Sequence, residues 1–137
     1  VELNITPSLD WRFDHWEGDL QGNDNPASIL MNADKNVTAH FVRQCRLTLA
    51  VTPAEAGATT PPAEIEQIYD RGMSVAIHAT ANPGWRFDHW EGGEVENTAA
   101  ADSTVLMDVN KAVIAHFTKI WDLTVVADPT SGGSTTP

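Results

Sequence analysis

The octapeptide Trp-Arg-Phe-Asp-His-Trp-Glu-Gly occupies residues 11 to 18 and recurs without a change at residues 85 to 92. Identity at every position of a stretch that includes two tryptophans does not arise by chance, so the chain contains an internal repeat. A repeat constrains the architecture more strongly than any other sequence feature, because each copy must form the same structural unit. The rest of the chain is organised around these two copies.

The similarity extends to both sides of the octapeptide. Upstream, Val1 to Thr6 aligns with Val75 to Thr80 at an offset of 74 residues. Downstream, Leu30 to Phe41 aligns with Leu106 to Phe117 at an offset of 76 residues. We expect the difference to be absorbed in the loop between Gly18 and Ala27, because loops tolerate insertions whereas a slip inside a strand reverses its two faces.

A third copy begins near the end of the chain, where Leu123 to Val125 matches Leu47 to Leu49. The predicted organisation is the back part of a first repeat (1–44), a complete repeat (45–118) and the front part of a third repeat (119–137). A chain that starts and stops inside repeats is expected to be a piece of a longer protein. We also expect the apolar strand Leu123 to Ala127 to find a pairing partner, because an unpaired apolar strand is a sticky edge.

The hydrophobic pattern within a repeat has a period of two, which is typical of strands with one buried face. Val75, Ile77 and Ala79 are apolar and alternate with their neighbours, and residues 1–6 and 47–52 show the same alternation. Asn82-Pro83-Gly84 then predicts a turn, since proline presets φ and glycine accepts a positive φ. The predicted fold class is all-β, a tandem array of small antiparallel β modules.

Two local features leave room for variation in this fold. Residues 29–31 and 37–41 flank the polar segment Asn32 to Lys35, which predicts a hairpin. Pro62 to Tyr69 is the best helix candidate, although its apolar residues fit a strand equally well. If this segment is helical, the alternative is an α+β, β-grasp-like repeat with one short helix.

Composition excludes several functional classes. The 137 residues carry a formal net charge of −11 with only 8 basic side chains, whereas nucleic-acid binding needs clustered lysine and arginine. No apolar run approaches the roughly 20 residues that a membrane helix needs, so no membrane insertion is expected in this segment. The single cysteine, Cys45, cannot form an internal disulfide framework, and no spacing of cysteine and histidine indicates a zinc site.

The repeat resembles the divergent internalin-type B-repeats, or bacterial repeat modules, of exported and cell-surface proteins. The motifs of the resemblance are the Leu-Thr-Leu opening at 47–49, the Pro/Gly-rich turn at 53–57, Ala-x-Pro-Gly at 81–84, Trp-x-Phe-x-x-Trp-x-Gly at 85–92 and Lys-x-Val-x-Ala-x-Phe at 111–117. They cover essentially the whole chain. The resemblance implies tandem spacer or adhesive modules without shared catalytic residues. The four histidines at 15, 40, 89 and 116 depart from the family pattern, so the resemblance implies nothing about their role.

The octapeptide offers the main binding candidates, which are Trp16, Trp90, Arg12 and Arg86. Exposed tryptophan stacks on sugars, and tryptophan and arginine are enriched in binding hot spots. The stronger interpretation is that the aromatic residues form the core, because a small all-β module has little other interior. In strict alternation the arginines face away from Phe13 and Phe87, where they can stack on Trp16 and Trp90 or pair with Asp14 and Asp88.

Other candidate sites are weaker. The repeated histidines suggest a metal site, but neighbouring strand residues face opposite ways, so Asp14 and His15 are not expected to converge. His40 and His116 are expected to point outward. The segment Asp19 to Asn25 is rich in oxygen ligands but lacks the spacing of a calcium loop, which favours a polar surface loop.

No arrangement of a catalytic nucleophile, a phosphate-binding loop or a paired carboxylate is recognisable. We therefore expect no enzyme, no cofactor, no metal and no catalytic residue. The expected function is a spacer, stalk or adhesive segment of a bacterial cell-surface or secreted protein, with neighbouring repeats of the same chain as partners. The alternatives are a carbohydrate- or protein-binding module, with a surface glycan or protein as ligand, and an accessory domain of a larger extracellular enzyme.

Overall fold

The computed structural model describes residues 1–128 and 130–135 and confirms the all-β fold class. The strands of these residues are β1 (Glu2–Leu3), β2 (Trp11–Gly18), β3 (Ala27–Ser28), β4 (Val37–Thr52), β5 (Gly57–Thr60), β6 (Gln67–Asp70), β7 (Ser74–Ala81), β8 (Trp85–Gly92), β9 (Asp102–Leu106) and β10 (Lys111–Lys119). The helical structure in the described ranges is one 3₁₀ turn at Thr130–Gly132. The strands form several small sheets, and most of their pairs are antiparallel.

The largest sheet has the strand order β2-β4-β10-β8, with β6 also paired to β4. The first half of β4 pairs with β2, and its second half pairs with β10. The β4–β10 pair is parallel, with Lys111 opposite Leu47 and His116 opposite Thr52. The sequence pattern predicts antiparallel modules and gives no sign of this parallel pair, which joins strands that are distant in the sequence.

The core lies between the large sheet and the smaller antiparallel sheet β5-β7-β9. Alternate residues of β7 and β10 are buried, as the period of two predicts. The fully buried side chains include Leu47, Leu49, Ile77, Trp90, Val105, Met107 and Val113. Burial of large apolar side chains such as these is the main stabilising contribution in a module of this size.

The two copies have the same strand registers. Trp11 lies opposite Arg43 in the first copy, and the equivalent Trp85 lies opposite Lys119 in the second. In the other sheets, the pair of Leu3 with Ala27 in β1–β3 corresponds to the pair of residues 77 and 103 in β7–β9. The residues of each pair are related by the offsets of 74 and 76, so the insertion falls between Gly18 and Ala27 as predicted.

The predicted turn at Asn82-Pro83-Gly84 is confirmed, but the predicted hairpin is wrong. The Trp85 backbone N–H donates to the Asn82 carbonyl oxygen at 3.0 Å, and Gly84 has a φ of 82°. The strands around Asn32 to Lys35 do not pair with each other, because β3 pairs with β1 while β4 pairs with β2. The chain crosses here from one sheet to another, so both strands can place apolar residues in the core between the sheets.

The helical alternative for Pro62 to Tyr69 is also wrong. Residues 62–66 form turns, and β6 pairs with β4 through Cys45 opposite Tyr69. The Glu64 N–H donates to the Leu49 carbonyl oxygen at 2.8 Å, and Glu64 itself has a positive φ of 61°, which is incompatible with a helix. Pairing with the edge of β4 satisfies the backbone of this segment.

The segment Leu123 to Ala127 does not form the expected strand. Residues 121–128 have no regular secondary structure, and most of their side chains are exposed. β10 ends at Lys119, whereas the equivalent β4 continues through its second half. The second half of β4 is held by β6 and β10, and the described residues contain no equivalent partners for residues 121–128.

Candidate functional site: the junction between the repeats

The junction between the first and second repeats is the unbroken strand β4. β4 contains 16 residues, or about 53 Å of extended chain. Residues 37–43 pair with β2 of the first repeat, and residues 44–52 pair with β6 and β10 of the second. The closing strand of one repeat thus continues as the opening strand of the next, without an intervening loop or hinge.

An ion pair between Arg12 and Asp70 crosses this junction. The Arg12 Nε atom lies 2.8 Å from Asp70 Oδ1, and its Nη2 atom lies 2.6 Å from Asp70 Oδ2. These two parallel hydrogen bonds tie β2 of the first repeat to β6 of the second. The pKa of the Asp70 carboxyl is lowered because it accepts both bonds, and the pKa of the Arg12 guanidinium is raised.

A second set of contacts is formed by Arg46 on β4. Its guanidinium donates to Asp10 Oδ1 of the first repeat at 3.0 and 3.2 Å and to Glu66 Oε1 of the second at 2.8 Å. These carboxylates raise the pKa of Arg46, Asp10 most strongly. The Gln44 N–H also donates to the Asp10 carbonyl oxygen at 2.8 Å. Backbone and side-chain contacts therefore reinforce the junction together.

The other candidate arginine, Arg86, has a different environment. It is the counterpart of Arg12 but is exposed, and no ion pair to it forms within residues 1–128 and 130–135. The residue equivalent to Asp70 would belong to a β6 strand of the third repeat, beyond residue 137. Arg12 and Arg86 are thus the same residue type at the same position with and without a cross-junction partner.

The two tryptophans proposed as binding residues lie in the core. Trp16 and Trp90 are buried, and their indole N–H groups donate to the Asp24 and Ala100 carbonyl oxygens, each at 2.9 Å. Trp90 packs against Phe87 at a ring centroid distance of 5.3 Å. Neither indole ring presents a free face to a ligand. Of the four candidate binding residues, only the two arginines keep accessible side chains.

A β-bulge at Asp14 and Asp88 explains why simple alternation misplaces these tryptophans. The β2–β4 register passes from Phe13 directly to His15, and the β8–β10 register passes over Asp88 in the same way. The extra residue shifts the alternation, so Trp16 lies on the same face as Phe13 rather than beside Arg12. The expected pairing of Arg12 with Asp14 is confirmed at 2.7 Å, whereas stacking of Arg12 on Trp16 is wrong.

The same bulge builds a histidine pair in each copy, which sequence reasoning missed. His15 and His40 stack with ring centroids 4.5 Å apart, and His89 and His116 do the same. Asp14 Oδ2 lies 2.9 Å from His15 Nδ1, so the expectation that these neighbours do not converge is wrong. The contact lowers the pKa of Asp14. The recurrence of an Asp-His step opposite another histidine in both copies was the available signal.

Glutamates complete the two clusters. Glu17 Oε2 lies 2.6 Å from His40 Nε2, and Glu91 Oε2 lies 2.7 Å from His116 Nε2. Each histidine thus uses one ring nitrogen on a carboxylate of its own module, and His40 is accessible as expected. Across the described ranges, no group of three or more histidine, cysteine or acidic side chains is arranged to hold a metal ion. The clusters are surface contacts between neighbouring strands.

Two further candidates have structural environments. Asp19 accepts a hydrogen bond from the Asn36 N–H at 2.8 Å, which lowers its pKa, so its carboxylate tethers the loop. Most of the segment Asp19 to Asn25 is exposed, in agreement with a polar surface loop. Cys45 is a free thiol buried in the core.

Comparison with protein families identifies the repeat. The divergent InlB B-repeat domain matches residues 1–45 and 47–121, which is most of the chain. The chain therefore belongs to the divergent InlB B-repeat family, as the motifs predict. This family is a bacterial repeat domain, a structural repeat rather than a known enzyme family, and it points to a bacterial surface or extracellular protein.

Comparisons with curated proteins and with solved structures gave no significant match. Among the described residues, no helix is long and apolar enough to cross a membrane.

Proposed function

We propose that this chain is a rigid spacer segment of a bacterial surface or secreted protein. The observation that carries the proposal is the continuity of β4, which belongs to two successive repeats. A flexible stalk needs a linker between its domains, where few contacts cross. Here the junction is a paired strand, supported on both sides by the Arg12–Asp70 and Arg46–Asp10 ion pairs.

The strand pairing sets the distance that each repeat adds to the spacer. Val113 is the counterpart of Val37 and lies opposite Leu49, 12 residues further along β4. At a rise of about 3.3 Å per residue, each repeat advances the array by about 40 Å. An array of such repeats therefore grows linearly with the number of copies, which is the property that a stalk requires.

The alternative of a glycan-binding module relies on Trp16 and Trp90. Both rings are buried and both indole N–H groups are bonded inside the module, so a ligand would have to displace core contacts. The spacer role needs no such rearrangement.

Small-angle X-ray scattering tests the proposal. A longer variant, in which residues 43–118 occur twice in succession, keeps the repeat register. Its maximum dimension is expected to exceed that of the original chain by about 40 Å, the advance of one repeat along a strand. As a matched control, Gly-Gly-Ser is inserted between Arg43 and Gln44, which interrupts β4.

The control is expected to scatter as two modules that move independently, with a broadened distance distribution. A flexible array would show the same distribution with and without the insertion, and that result would overturn the spacer proposal. Both proteins carry Val125→Asp, so that self-association of the chain does not affect the comparison.

A further inference from the structure

The first repeat has an open core where the second repeat has a closed one. Phe41 is 40% exposed, whereas its counterpart Phe117 is 6% exposed. Met31 is exposed and Met107 is buried in the same way. In the second repeat this space is closed by Leu47 and Leu49 of β4, and the first repeat has no equivalent strand in the described residues. An apolar face of defined shape is therefore left uncovered.

A free strand edge runs beside this apolar face. The Gln44 N–H points to Asp10 on the β2 side of β4, while the Arg43 carbonyl oxygen, in the same peptide group, points the other way to the Arg71 N–H. β2 and β6 therefore lie on opposite edges of β4. Along residues 37–42, the edge away from β2 has no strand partner in the described part of the chain. The equivalent edge of β10 is occupied by residues 47–52 in parallel pairing.

The chain carries a matching strand at its other end. Leu123 and Val125 are the counterparts of Leu47 and Leu49. They are 75% and 45% exposed, whereas Leu47 and Leu49 are 0% and 1% exposed. The same register would place Val125 opposite Val37, as Leu49 lies opposite Val113.

A glycine supports the same match. A Cβ atom at Gly57 would lie 2.6 Å from Phe117 Cζ, so only glycine fits over that ring. The counterpart of Gly57 is Gly133, where a Cβ atom would meet nothing within 4 Å. The segment that would cover Phe41 thus already carries the glycine that such a contact requires, although nothing at its present location demands one.

The segment cannot reach this edge in its own molecule. His116 lies opposite Thr52, so β10 ends beyond the far end of β4, more than about 50 Å along the strand from Val37. The six residues from Lys119 to Val125 span at most about 20 Å. The strand must therefore come from another copy of the chain.

We infer that residues 123–127 of one copy pair in parallel with residues 37–42 of a second copy and complete its first repeat. The donor strand and the acceptor edge lie at opposite ends of the molecule. Such a head-to-tail contact does not close on itself and produces open chains of molecules, in which each molecule gives one strand and accepts one. This inference does not depend on the spacer role.

Sedimentation velocity over a range of concentrations tests the inference. The unmodified chain is expected to form dimers and then larger species as its concentration rises. Val125→Asp is expected to abolish them, because a carboxylate would enter the apolar face. Val126→Asp is the matched control and is expected to leave association nearly unchanged, since its counterpart Ala50 lies on the opposite face of β4 from Leu49. A chain that stays monomeric up to millimolar concentration, or equal behaviour of the two variants, would overturn the inference.

A mixing experiment tests the polarity of the contact. Val125→Asp removes the donor strand and Val37→Asp removes the acceptor edge, so neither variant is expected to associate alone. Their mixture is expected to form a 1:1 dimer and nothing larger. Persistent monomers, or larger species, would contradict the head-to-tail arrangement.

The acceptor edge is also tested without altering it, in case Val37→Asp disturbs the first repeat. A fluorescent peptide with the sequence of residues 119–137 is expected to bind the Val125→Asp chain and raise the fluorescence anisotropy. The same peptide with aspartate in place of Val125 is expected not to bind. Absence of binding by the first peptide would exclude the proposed edge.

Discussion

Replacement of Trp90 by alanine tests whether the octapeptide tryptophan is a core residue. Trp90 is buried, packs on Phe87 and donates its indole N–H to the Ala100 carbonyl oxygen. Large-to-small changes of buried tryptophan typically cost about 3–5 kcal/mol, and the unpaired Ala100 oxygen favours the upper part of this range. For a module of this size, 1 kcal/mol corresponds to roughly 4–8 °C in Tm, so a decrease on the order of 20 °C is expected.

The measurement is thermal and urea unfolding followed by far-UV circular dichroism, which does not depend on tryptophan fluorescence. Trp85→Ala is the matched control, because Trp85 is only half-buried and loses less contact area. Trp11, its counterpart in the first copy, is 43% exposed, so the tryptophan with the largest expected effect is the second of the octapeptide rather than the first. An unchanged Tm for Trp90→Ala, or an equal loss for Trp85→Ala, would refute the core assignment.

Three further predictions concern the junction, the acid response and the thiol. Arg12→Ala is expected to lower the unfolding midpoint and Arg86→Ala to leave it nearly unchanged, because only Arg12 pairs across the junction; equal effects in thermal denaturation would contradict this role. Folding lowers the pKa of Asp70 and Asp14, so their ionised forms stabilise the fold at neutral pH, and this stability is lost as the pH falls below about 4 through the folded values. Calorimetry from pH 7 to pH 2 is expected to show a falling Tm, with a shallower decrease for Asp70→Asn; an identical decrease would exclude Asp70 as a contributor. The Cys45 thiol is buried, so it is expected to react with a thiol reagent only after denaturation, and rapid labelling of the native protein would show an open core.

The amino-acid sequence by itself determines the strands, the repeat and the family. The period of two arises because alternate side chains of a strand meet the core and the solvent, so it is visible without knowledge of the partners. The offsets of 74 and 76 locate the insertion in a loop for the same reason, since a shift inside a strand would expose its apolar face. The motifs at residues 81–92 and 111–117 are local and sufficient to predict the family.

Only the tertiary structure decides which strands pair and where the phase of alternation changes. The pattern around Asn32 to Lys35 is the same for a hairpin and for a crossing between sheets, because both leave alternate residues apolar. The bulge at Asp14 depends on the pairing of β2 with β4, and it brings Trp16 into the core and His15 onto His40. Local sequence cannot specify such features, because they depend on backbone hydrogen bonds between residues that are distant along the chain.

The continuity of β4 is likewise a tertiary result. Residues 44–52 are ordered by β6 and β10, whereas their counterparts at 120–128 have the same kind of apolar pattern but no strand pairing among the described residues. The sequence determines that both segments are able to form a strand. Whether either does so depends on the presence of a neighbouring edge, because a single strand cannot satisfy its own backbone N–H and C=O groups.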